Sequence, residues 1–506
     1  MTDTHAGELQ SSYDFVVCGS GSSGSVVAGR LAETGQVSVL LLEAGGSDDG
    51  PSVQDAGRWF ENIGTQRDWE FRAASNPQLN DRRLSLAMGK LLGGGSSINA
   101  MIWSRGHRND WDYFAAEAKD PSWNYDSILR IYRRIEDWHG VRDSLRRGEG
   151  GLLYIEPARD PNPLAPAMLE ATRHVGLPIF DDQNGVMMEG AGGAAITNLR
   201  IRGGRRQSVF RSYCRTESWM RRNNLTVLTG ALVTRVLFDG KRAVGIEFLR
   251  NGQWSRIAAA CEVVLSLGAI NTPKVLLQSG IGDADDLARV GVDLVQHLPG
   301  VGRNFQDHII AGCHWEHKNA LPPRNNGVEA TSFWKSNASL DTPDLQSFIV
   351  EFPLVAPGTA DDAVGAASWG ICPTVVRPLS RGQVRITGPK PCDPVEIETG
   401  TFSDPADLKA MMRGIQMCRE LGNYVVMNAF AKREVMPGDL AGPHLKILSE
   451  TRRRVVSIKA AQQRWGAMTC LLLIAGFKFM GSISYVLPML LSCHGYPPAT
   501  PWRHVL

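Results

Sequence analysis

The sequence of 506 residues lacks several features that would place it in a specialised class of protein. Its nine cysteines are scattered singly, with no C-x-x-C pair, so neither a zinc site nor a disulfide framework is indicated and reduced buried thiols are expected. The net charge is +2 and no basic block occurs, so nucleic acid is not an implied partner. Internal repeats and low-complexity tracts are also missing, and the remaining composition is that of a large globular protein.

Long apolar runs are scarce as well. Residues 1–12 (MTDTHAGELQSS) are polar and lack the apolar core of a secretion signal, which predicts a cytoplasmic location. Residues 467–493 are strongly apolar, but Lys478 and Pro488 interrupt them and no second span accompanies them. We therefore expect no membrane span.

A glycine-rich motif organises the first part of the chain. The apolar residues 15–18 (FVVC) predict a short buried strand, and Gly19, Gly21 and Gly24 follow in the spacing G-x-G-x-x-G. Residues 25–34 then have the spacing of a helix. In such a unit the first glycine permits the sharp turn, the second lets the backbone reach a pyrophosphate, and the third lets the helix pack close to the strand.

An acidic residue lies where this motif requires one. A second predicted strand, residues 37–42, ends at Glu43, whose carboxylate is placed to accept hydrogen bonds from ribose hydroxyl groups. The same carboxylate would repel a 2′-phosphate. These features predict an adenine-dinucleotide site without separating FAD from NAD, and a glycine-rich turn without a ligand is the simpler alternative.

A second glycine-rich segment, residues 89–99 (GKLLGGGSSIN), continues through Trp103, Gly106 and Asp112. Three successive glycines before two serines and an apolar run, which we predict to be helical, describe a backbone that approaches a ligand closely. A flexible linker would not continue at once into the apolar residues 98–103. We therefore assign the segment to a ligand site.

Three motifs together resemble those of the glucose-methanol-choline (GMC) oxidoreductase family. Residues 13–46 are similar to the FAD-binding start of that family, residues 89–112 to its first signature, and residues 268–282 to its second. In the third motif a predicted strand enters a glycine turn, and Pro273 is expected early in a helix, where its missing N–H costs little. The resemblance implies FAD rather than a nicotinamide cofactor.

The resemblance also implies residue roles along residues 13–446. Residues 225–233 resemble the strand whose backbone holds the adenine, residues 299–308 the return of the chain toward the flavin domain, and residues 380–384 the hairpin that closes the substrate sheet. No metal is implied. The implied FAD-binding residues are Gly19, Ser20, Gly21, Ser22, Ser23, Gly24, Glu43, Ala44, Lys90, Gly94, Ser97, Asn99 and Val233.

The expected fold class is α/β, with a Rossmann-type FAD-binding domain interleaved with a substrate-binding domain built on an antiparallel sheet. We assign residues 1–160, 201–310 and 391–446 to the first domain and residues 161–200 and 311–390 to the second. Short alternating patterns, as at 345–354 and 370–376, favour sheet in the second domain. Residues 447–506 are expected to be an aberrant tail.

Other conspicuous side chains are expected to be structural. Trp59 and Trp69 do not share a helix face and are predicted to be packing anchors. Two basic clusters are predicted to be solvated surface charge: Arg130, Arg133 and Arg134, and Arg202, Arg205 and Arg206.

The C-terminal part departs from the family pattern. Family members carry a catalytic His in a segment like W-H-x-x-G-T-x-x-M-G and an Asn or His in one like T-G-N-T-M-A-P, and neither is written here. Beyond Glu450 the chain has basic residues and no acidic one. His139 follows Trp138 without a later Gly-Thr, and His308 belongs to the flavin-domain return. We therefore assign no catalytic residue.

The genetic code suggests an explanation for this departure. Suppose that the true reading frame is shifted, so that each codon consists of the last base of one written codon and the first two bases of the next. The codons of residues 497–505 are then compatible with the peptide Thr-Gly-Asn-Thr-Met-Ala-Pro-Cys. The junction of Ser457 and Ile458 likewise permits a His codon. The hypothesis is a one-base frame slip near Lys446, caused by a sequencing error or by a lesion in the gene.

The function implied is FAD-dependent oxidation of a small-molecule alcohol. Hydride would pass from the carbinol carbon to flavin N5 and give an aldehyde or ketone, while the electron acceptor is not indicated. The alternatives are an inactive remnant without the C-terminal His and Asn, a lyase of the same fold, and an NAD-dependent dehydrogenase, which has no evident use for residues 93–99.

Overall fold

The structure is a computed structural model that describes residues 9–215, 223–354, 365 and 367–438. The expected tail, residues 447–506, lies outside these ranges, as do the positions concerned in the frame-slip hypothesis. Within the ranges, no helix combines the length and the apolar character that crossing a membrane requires.

The described residues form helices and two large sheets. The helices are α1 (Ser22–Ala32), α2 (Pro51–Gln54), α3 (Arg108–Ala118), α4 (Tyr125–Ile135), α5 (Leu164–His174), α6 (Val209–Cys214), α7 (Gly268–Gln278), α8 (Ala284–Arg289) and α9 (Pro405–Gly422). Short 3-10 helices span Ala56–Asn62, Pro77–Leu79, Gly94–Ser97, Pro121–Trp123, Val186–Glu189 and Val425–Ala429.

The strands are numbered in chain order. They are β1 (Ser12–Cys18), β2 (Val39–Leu42), β3 (Phe71–Arg72), β4 (Ser85–Leu86), β5 (Glu136–Trp138), β6 (Leu153–Pro157), β7 (Gly193–Ile196), β8 (Asn198–Leu199), β9 (Ile201–Arg202), β10 (Arg205–Arg206), β11 (Leu225–Leu228), β12 (Leu232–Asp239), β13 (Arg242–Arg250), β14 (Gln253–Leu265), β15 (Ile281–Gly282), β16 (Gln296–His297), β17 (Ile309–Ile310), β18 (Cys313–His317), β19 (Ala330–Trp334), β20 (Leu345–Val350), β21 (Ser368–Val375), β22 (Gln383–Ile386), β23 (Val395–Glu398) and β24 (Ala431–Met436).

The first large sheet has the order β11-β2-β1-β14-β13-β12. Strands β11, β2, β1 and β14 pair with one another in parallel, whereas β12, β13 and β14 form an antiparallel meander. Val16 lies between Leu40 and Val263 in the register, and all three side chains are buried. Central parallel strands are covered on both faces, which is why their sequences are almost continuously apolar. The predicted strands and the Rossmann-type α/β class are confirmed.

The second large sheet has the order β24-β18-β21-β20-β19-β7, and β17 also pairs with β21. All these pairs are antiparallel. Helices α5 and α9 cover one face around the stacked rings of Trp315 and Trp369, whose centroids are 4.8 Å apart. The other face packs on Ala100, Met101 and Ile102, directly after the second glycine-rich segment. The antiparallel substrate sheet is thus confirmed, while the domain boundaries stay a prediction.

Several local expectations are wrong. Residues 164–174 are helix α5 rather than sheet, because Leu164, Met168 and Ala171 lie on one helical face that packs against the second sheet. Residues 98–103 are not helical: Met101 has φ +59° and Ile102 forms a bridge with Leu199. Contacts with strands that are distant in sequence determine both outcomes.

The expected position of Pro273 and the expected role of the hairpin at residues 380–384 also need correction. Pro273 lies in the interior of α7 and not in its first turn. Val384 belongs to a hairpin in which β22 pairs with β23. Contrary to expectation, this hairpin forms a two-stranded sheet of its own and does not close the second large sheet. Phe305 bridges to Gly382 and connects this hairpin with the chain that returns from α8.

The expectation that the cysteines are buried, reduced thiols holds for five of the seven described cysteines. Cys18, Cys214, Cys313, Cys372 and Cys418 are buried free thiols, and burial raises the pKa of the Cys18 thiol. Two further cysteines, Cys261 and Cys392, are exposed.

Candidate cofactor site

The first glycine motif forms a tight strand–turn–helix unit. Gly19 has φ +93°, and a side chain on Gly24 would collide with the carbonyl oxygen of Gly19, so both positions exclude a Cβ atom. Helix α1 begins at Ser22 after an N-cap glycine, Gly21, that has no side-chain capping bond. No acidic residue lies in its first turn. The N–H groups of this helix end are therefore available to an anionic ligand.

The second glycine-rich segment docks on the first. The amide of Gly93 donates to the carbonyl oxygen of Ser20 at 3.0 Å. A Cβ atom on Gly94, where φ is +50°, would lie 2.8 Å from the Cα of Gly21. Ser97 is buried and its hydroxyl group donates to the carbonyl oxygen of Leu92 at 2.7 Å. Two motifs separated by about seventy residues thus meet backbone to backbone at the start of α1.

Glu43 lies at the carboxyl end of β2, beside the first glycine turn. Its Oε2 accepts from the backbone N (3.0 Å) and the hydroxyl group (2.6 Å) of Ser20, and its Oε1 accepts from the amide of Gly45 at 2.9 Å. Burial raises the pKa of Glu43, and these hydrogen bonds oppose the shift. The backbone amide of Ala44 is a further donor to this carboxylate, so four donors hold it in place beside the turn.

An apolar cleft opens at the carboxyl ends of β2 and β11. Two predicted residues, Ala44 and Val233, line it. So do Trp69, Leu42, Ala231, Leu232, Leu267, Asn271, Lys274, Val275, Gln278 and Pro391. In open parallel sheets ligands bind outside the carboxyl ends of the strands, and this cleft lies there.

Sequence reasoning missed several residues of the cleft. Asn271, Lys274 and Gln278 project from one face of α7 at the spacing i, i+3, i+7, a signal that was present in the second family signature. Burial lowers the pKa of Lys274, whose Nζ donates to the carbonyl oxygen of Pro391 at 2.7 Å. Trp69 was predicted to be a packing anchor, but it is only half-buried and lines the cleft.

The other predicted residues lie around these turns. Ser20 is buried, Ser22 and Ser23 are half-buried in the first turn of α1, and Lys90 places its ammonium group 4.8 Å from the centroid of the Trp69 ring. Asn99 accepts from the amide of Met101 at 3.1 Å and from Nη1 of Arg206 at 2.9 Å. The predicted positions therefore lie in the two glycine-rich segments, at the end of β2 and in the lining of the cleft.

The contact with Asn99 overturns one expectation. Arg202 and Arg205 are exposed as predicted, but Arg206 is only 3% exposed and is not surface charge. Arg206 and Arg205 are neighbours on β10, so their side chains leave opposite faces of the hairpin. The outward face meets solvent and the inward face meets the second glycine-rich segment.

The fold and the site define a class of protein: oxidoreductases that bind an adenine dinucleotide on a Rossmann-type sheet. The sequence profile of GMC oxidoreductases matches residues 13–310. The chain belongs to the GMC oxidoreductase family, and it is an FAD-dependent enzyme that oxidises alcohols.

Similar proteins agree with this placement. The chain is 35% identical over 460 residues to an oxygen-dependent choline dehydrogenase of Stenotrophomonas maltophilia, covering 84% of this chain and 80% of that protein. It is also 35% identical over 438 residues to an uncharacterised GMC-type oxidoreductase of Mycobacterium bovis, covering 82% and 81% of the two chains. The NAD-dependent alternative is thereby wrong, and an inactive remnant is not favoured.

Solved structures show the same fold. Pyridoxine 4-oxidase from "Mesorbium loti" superposes with a TM-score of 0.79 at 30% identity and covers 84% of this chain and 83% of its own. A formate oxidase superposes with a TM-score of 0.77 over 94% of this chain and 88% of its own, at 21% identity. The second likeness concerns the fold alone.

Proposed function

We propose that FAD lies extended across the two glycine-rich segments, and that this cofactor accepts a hydride from an alcohol bound against the second sheet. The adenine end is assigned to the cleft lined by Ala44 and Val233. The diphosphate is assigned to the uncapped start of α1, and the flavin end to Ser97 and Asn99. The observation that carries the proposal is the contact of Gly94 with Gly21, because it places the second segment directly beyond the helix start.

The first segment fits a diphosphate in chemical terms. Ser22, Ser23 and Gly24 contribute the first N–H groups of α1, which no side chain caps. The partial positive charge of the helix end favours a negatively charged group there by about 0.3–1 kcal/mol or more. The ribose hydroxyl groups are assigned to the Glu43 carboxylate, which its bonds to Ser20 hold beside the turn.

The alcohol is assigned to the side of the flavin end that faces the second sheet. Met101 and Ile102 pack with the buried residues Ile310, Phe348 and Val350, so this face of the sheet is apolar and shielded from water. The bound FAD supplies the electron sink for the hydride. A general base would take the hydroxyl proton and contributes typically about 10²–10⁴-fold to such reactions. We assign no described residue to that role.

The test is to purify the chain as written and a version with the reading frame repaired near Lys446. We expect flavin absorbance in the repaired protein, and anaerobic bleaching when the right member of a panel of choline, pyridoxine, benzyl and short aliphatic alcohols is added. Turnover is then followed with an artificial dye as acceptor. Bound flavin that no alcohol bleaches, or turnover without any reduction of the flavin, would favour a lyase and overturn the proposal.

Two further points belong to the proposal. The physiological electron acceptor is open among oxygen, a quinone and a carrier protein, and anaerobic reoxidation of the reduced enzyme by each identifies it. We also propose a cytoplasmic location, which the free thiols of the described cysteines support. Cell fractionation with antibody detection tests it, and recovery in a secreted fraction would contradict it.

A further inference from the structure

Two buried arginines, Arg200 and Arg206, lie behind the second glycine-rich segment. Arg200 is 5% exposed and Arg206 is 3% exposed. They belong to one hairpin, in which Arg206 pairs with Ile201 and the amide of Gln207 donates to the carbonyl oxygen of Arg200. The family resemblance gave neither residue a role.

Arg206 holds three segments together. Its Nε donates to the carbonyl oxygen of Val53 at 2.8 Å. Its Nη1 donates to the carbonyl oxygen of Ser96 at 3.1 Å and to Oδ1 of Asn99 at 2.9 Å. Its Nη2 is buried without a hydrogen-bond partner among the described residues. The guanidinium group therefore hydrogen-bonds to both ends of the turn at residues 96–99, and each acceptor is an uncharged oxygen atom.

Arg200 is tied to the same segment by its backbone. Its amide donates to the carbonyl oxygen of Met101 at 2.9 Å. Its guanidinium carbon lies 5.9 Å from the centroid of the Trp103 ring, while Nε and Nη2 are buried without a partner in the described ranges. The two positive charges are close enough to repel each other, and burial lowers the pKa of Arg206 to about 9 and that of Arg200 to about 10.

This arrangement costs stability. A buried charge is ordinarily paired, and an unpaired one is strongly destabilising. In the described part of the chain no carboxylate hydrogen-bonds to either guanidinium group, although arginines elsewhere in the core have such partners, as Arg147 has in Glu136. Two unpaired positive charges behind residues 96–101 destabilise the fold. We take their presence there to indicate that a negative charge forms on the other side of that segment.

We propose that Arg200 and Arg206 are positioning residues that stabilise the reduced, anionic form of the flavin through the segment at residues 96–101. The inference rests on the proposed function, which assigns the flavin end to Ser97 and Asn99. The diphosphate is a less suitable counter-charge, because the uncapped start of α1 already serves it and Gly94, not Asn99, is the residue in contact with that turn.

The test is a sulfite titration of the FAD-loaded full-length protein. Sulfite adds to oxidised flavin and leaves a negative charge on the ring, so its affinity reports the positive charge nearby, independently of any alcohol. We expect Arg206→Met and Arg200→Met each to weaken sulfite binding about tenfold or more, because buried charges interact strongly. Arg206→Lys keeps the charge and is expected to restore most of the affinity.

Arg205→Met is the matched control, since it removes the same charge from the neighbouring, exposed position of β10. It is expected to leave sulfite affinity nearly unchanged. Arg200→Met breaks no side-chain hydrogen bond of the described residues and so remains informative if Arg206→Met fails to fold. A purely structural role predicts weaker FAD binding or a lower melting temperature with unchanged sulfite affinity.

The outcomes separate the two proposals. Retained FAD with unchanged sulfite affinity in Arg200→Met and Arg206→Met overturns the role of the arginine pair and leaves the proposed function intact. Failure of the parent protein, written and repaired, to bind FAD overturns the proposed function and the inference with it.

Discussion

Glu351 is 2% exposed and lies beside another fully buried acid, Glu329, at one end of the second sheet. The amide of Arg324 donates to Oε2 of Glu351 at 2.8 Å, and that of Asn162 donates to Oε2 of Glu329 at 2.6 Å. Burial, and after it the neighbouring carboxyl group of Glu329, raises the pKa of Glu351 to about 9. The two side chains can therefore lie side by side in the folded protein only while Glu351 keeps its proton, because two buried negative charges would repel each other.

A pH dependence follows at the scale of this residue. The folded protein binds the Glu351 proton more tightly than the unfolded chain, so stability falls as the pH rises from about 4.5 toward 9. Glu351→Gln removes this loss, and we expect the variant to be more stable than the parent by a few kcal/mol near pH 9, at roughly 1.4 kcal/mol per unit of pKa shift. Urea unfolding at a series of pH values measures it. Glu117→Gln, at an exposed site, is the control; parallel profiles for parent and Glu351→Gln would refute the assignment.

At the scale of elements, the second glycine turn is held against the first. Gly94→Ala places a Cβ atom 2.8 Å from the Cα of Gly21, at a left-handed φ of +50°. We expect FAD affinity to fall about tenfold or more and stability by about 1–3 kcal/mol, because the strain cannot relax without separating the two turns. Gly300→Ala adds a methyl group into open space and is the control. Equal FAD dissociation constants for the two variants would contradict the docking of the turns.

Helix α9 packs on the second sheet through its last glycine. A Cβ atom on Gly422 would collide with the Trp315 ring, which is fully buried and stacked on Trp369. Alanine favours helix by about 1 kcal/mol, yet we expect Gly422→Ala to lower the free energy of unfolding by about 1–3 kcal/mol because of overpacking. Arg413→Ala, on the exposed side of α9, is expected to be nearly neutral. Denaturant unfolding compares the free energies of unfolding of the two variants. A Gly422→Ala variant more stable than the parent would contradict this expectation and show that the Trp315 ring can move aside.

At the scale of the whole molecule, FAD is proposed to contact segments that are distant in the sequence. Residues 19–24, 43–44, 90–99 and 233 belong to separate elements around one sheet, so a ligand that joins them stabilises the folded state alone. At a free concentration of about one hundred times its dissociation constant, FAD is expected to add about 2.7 kcal/mol. The melting temperature should therefore rise with added FAD and not with NAD. An equal rise with both dinucleotides would indicate a site that recognises only the adenine end.

Much of the first sheet could be predicted because its signals are local. The run at residues 15–18, the G-x-G-x-x-G spacing and the acid at Glu43 lie within one strand–turn–helix–strand unit, and each has a direct physical requirement. The predictions failed where a distant contact decided the outcome. Residues 164–174 became a helix because their apolar face meets the second sheet, and residues 98–103 did not form one because Ala100, Met101 and Ile102 pack on the other face of that sheet.

By itself, the sequence determined the class of nucleotide, the family and the positions of the glycine turns, because spacing along the chain is sufficient to specify them. Only the tertiary structure decided which further residues line the cleft, namely the α7 face that includes Lys274 and the half-buried Trp69, and which arginine is buried, Arg206 rather than Arg205. Burial of a charged side chain depends on which segment covers it. Two adjacent arginines with the same chemistry therefore differ only because a hairpin has one face toward solvent and the other toward the core.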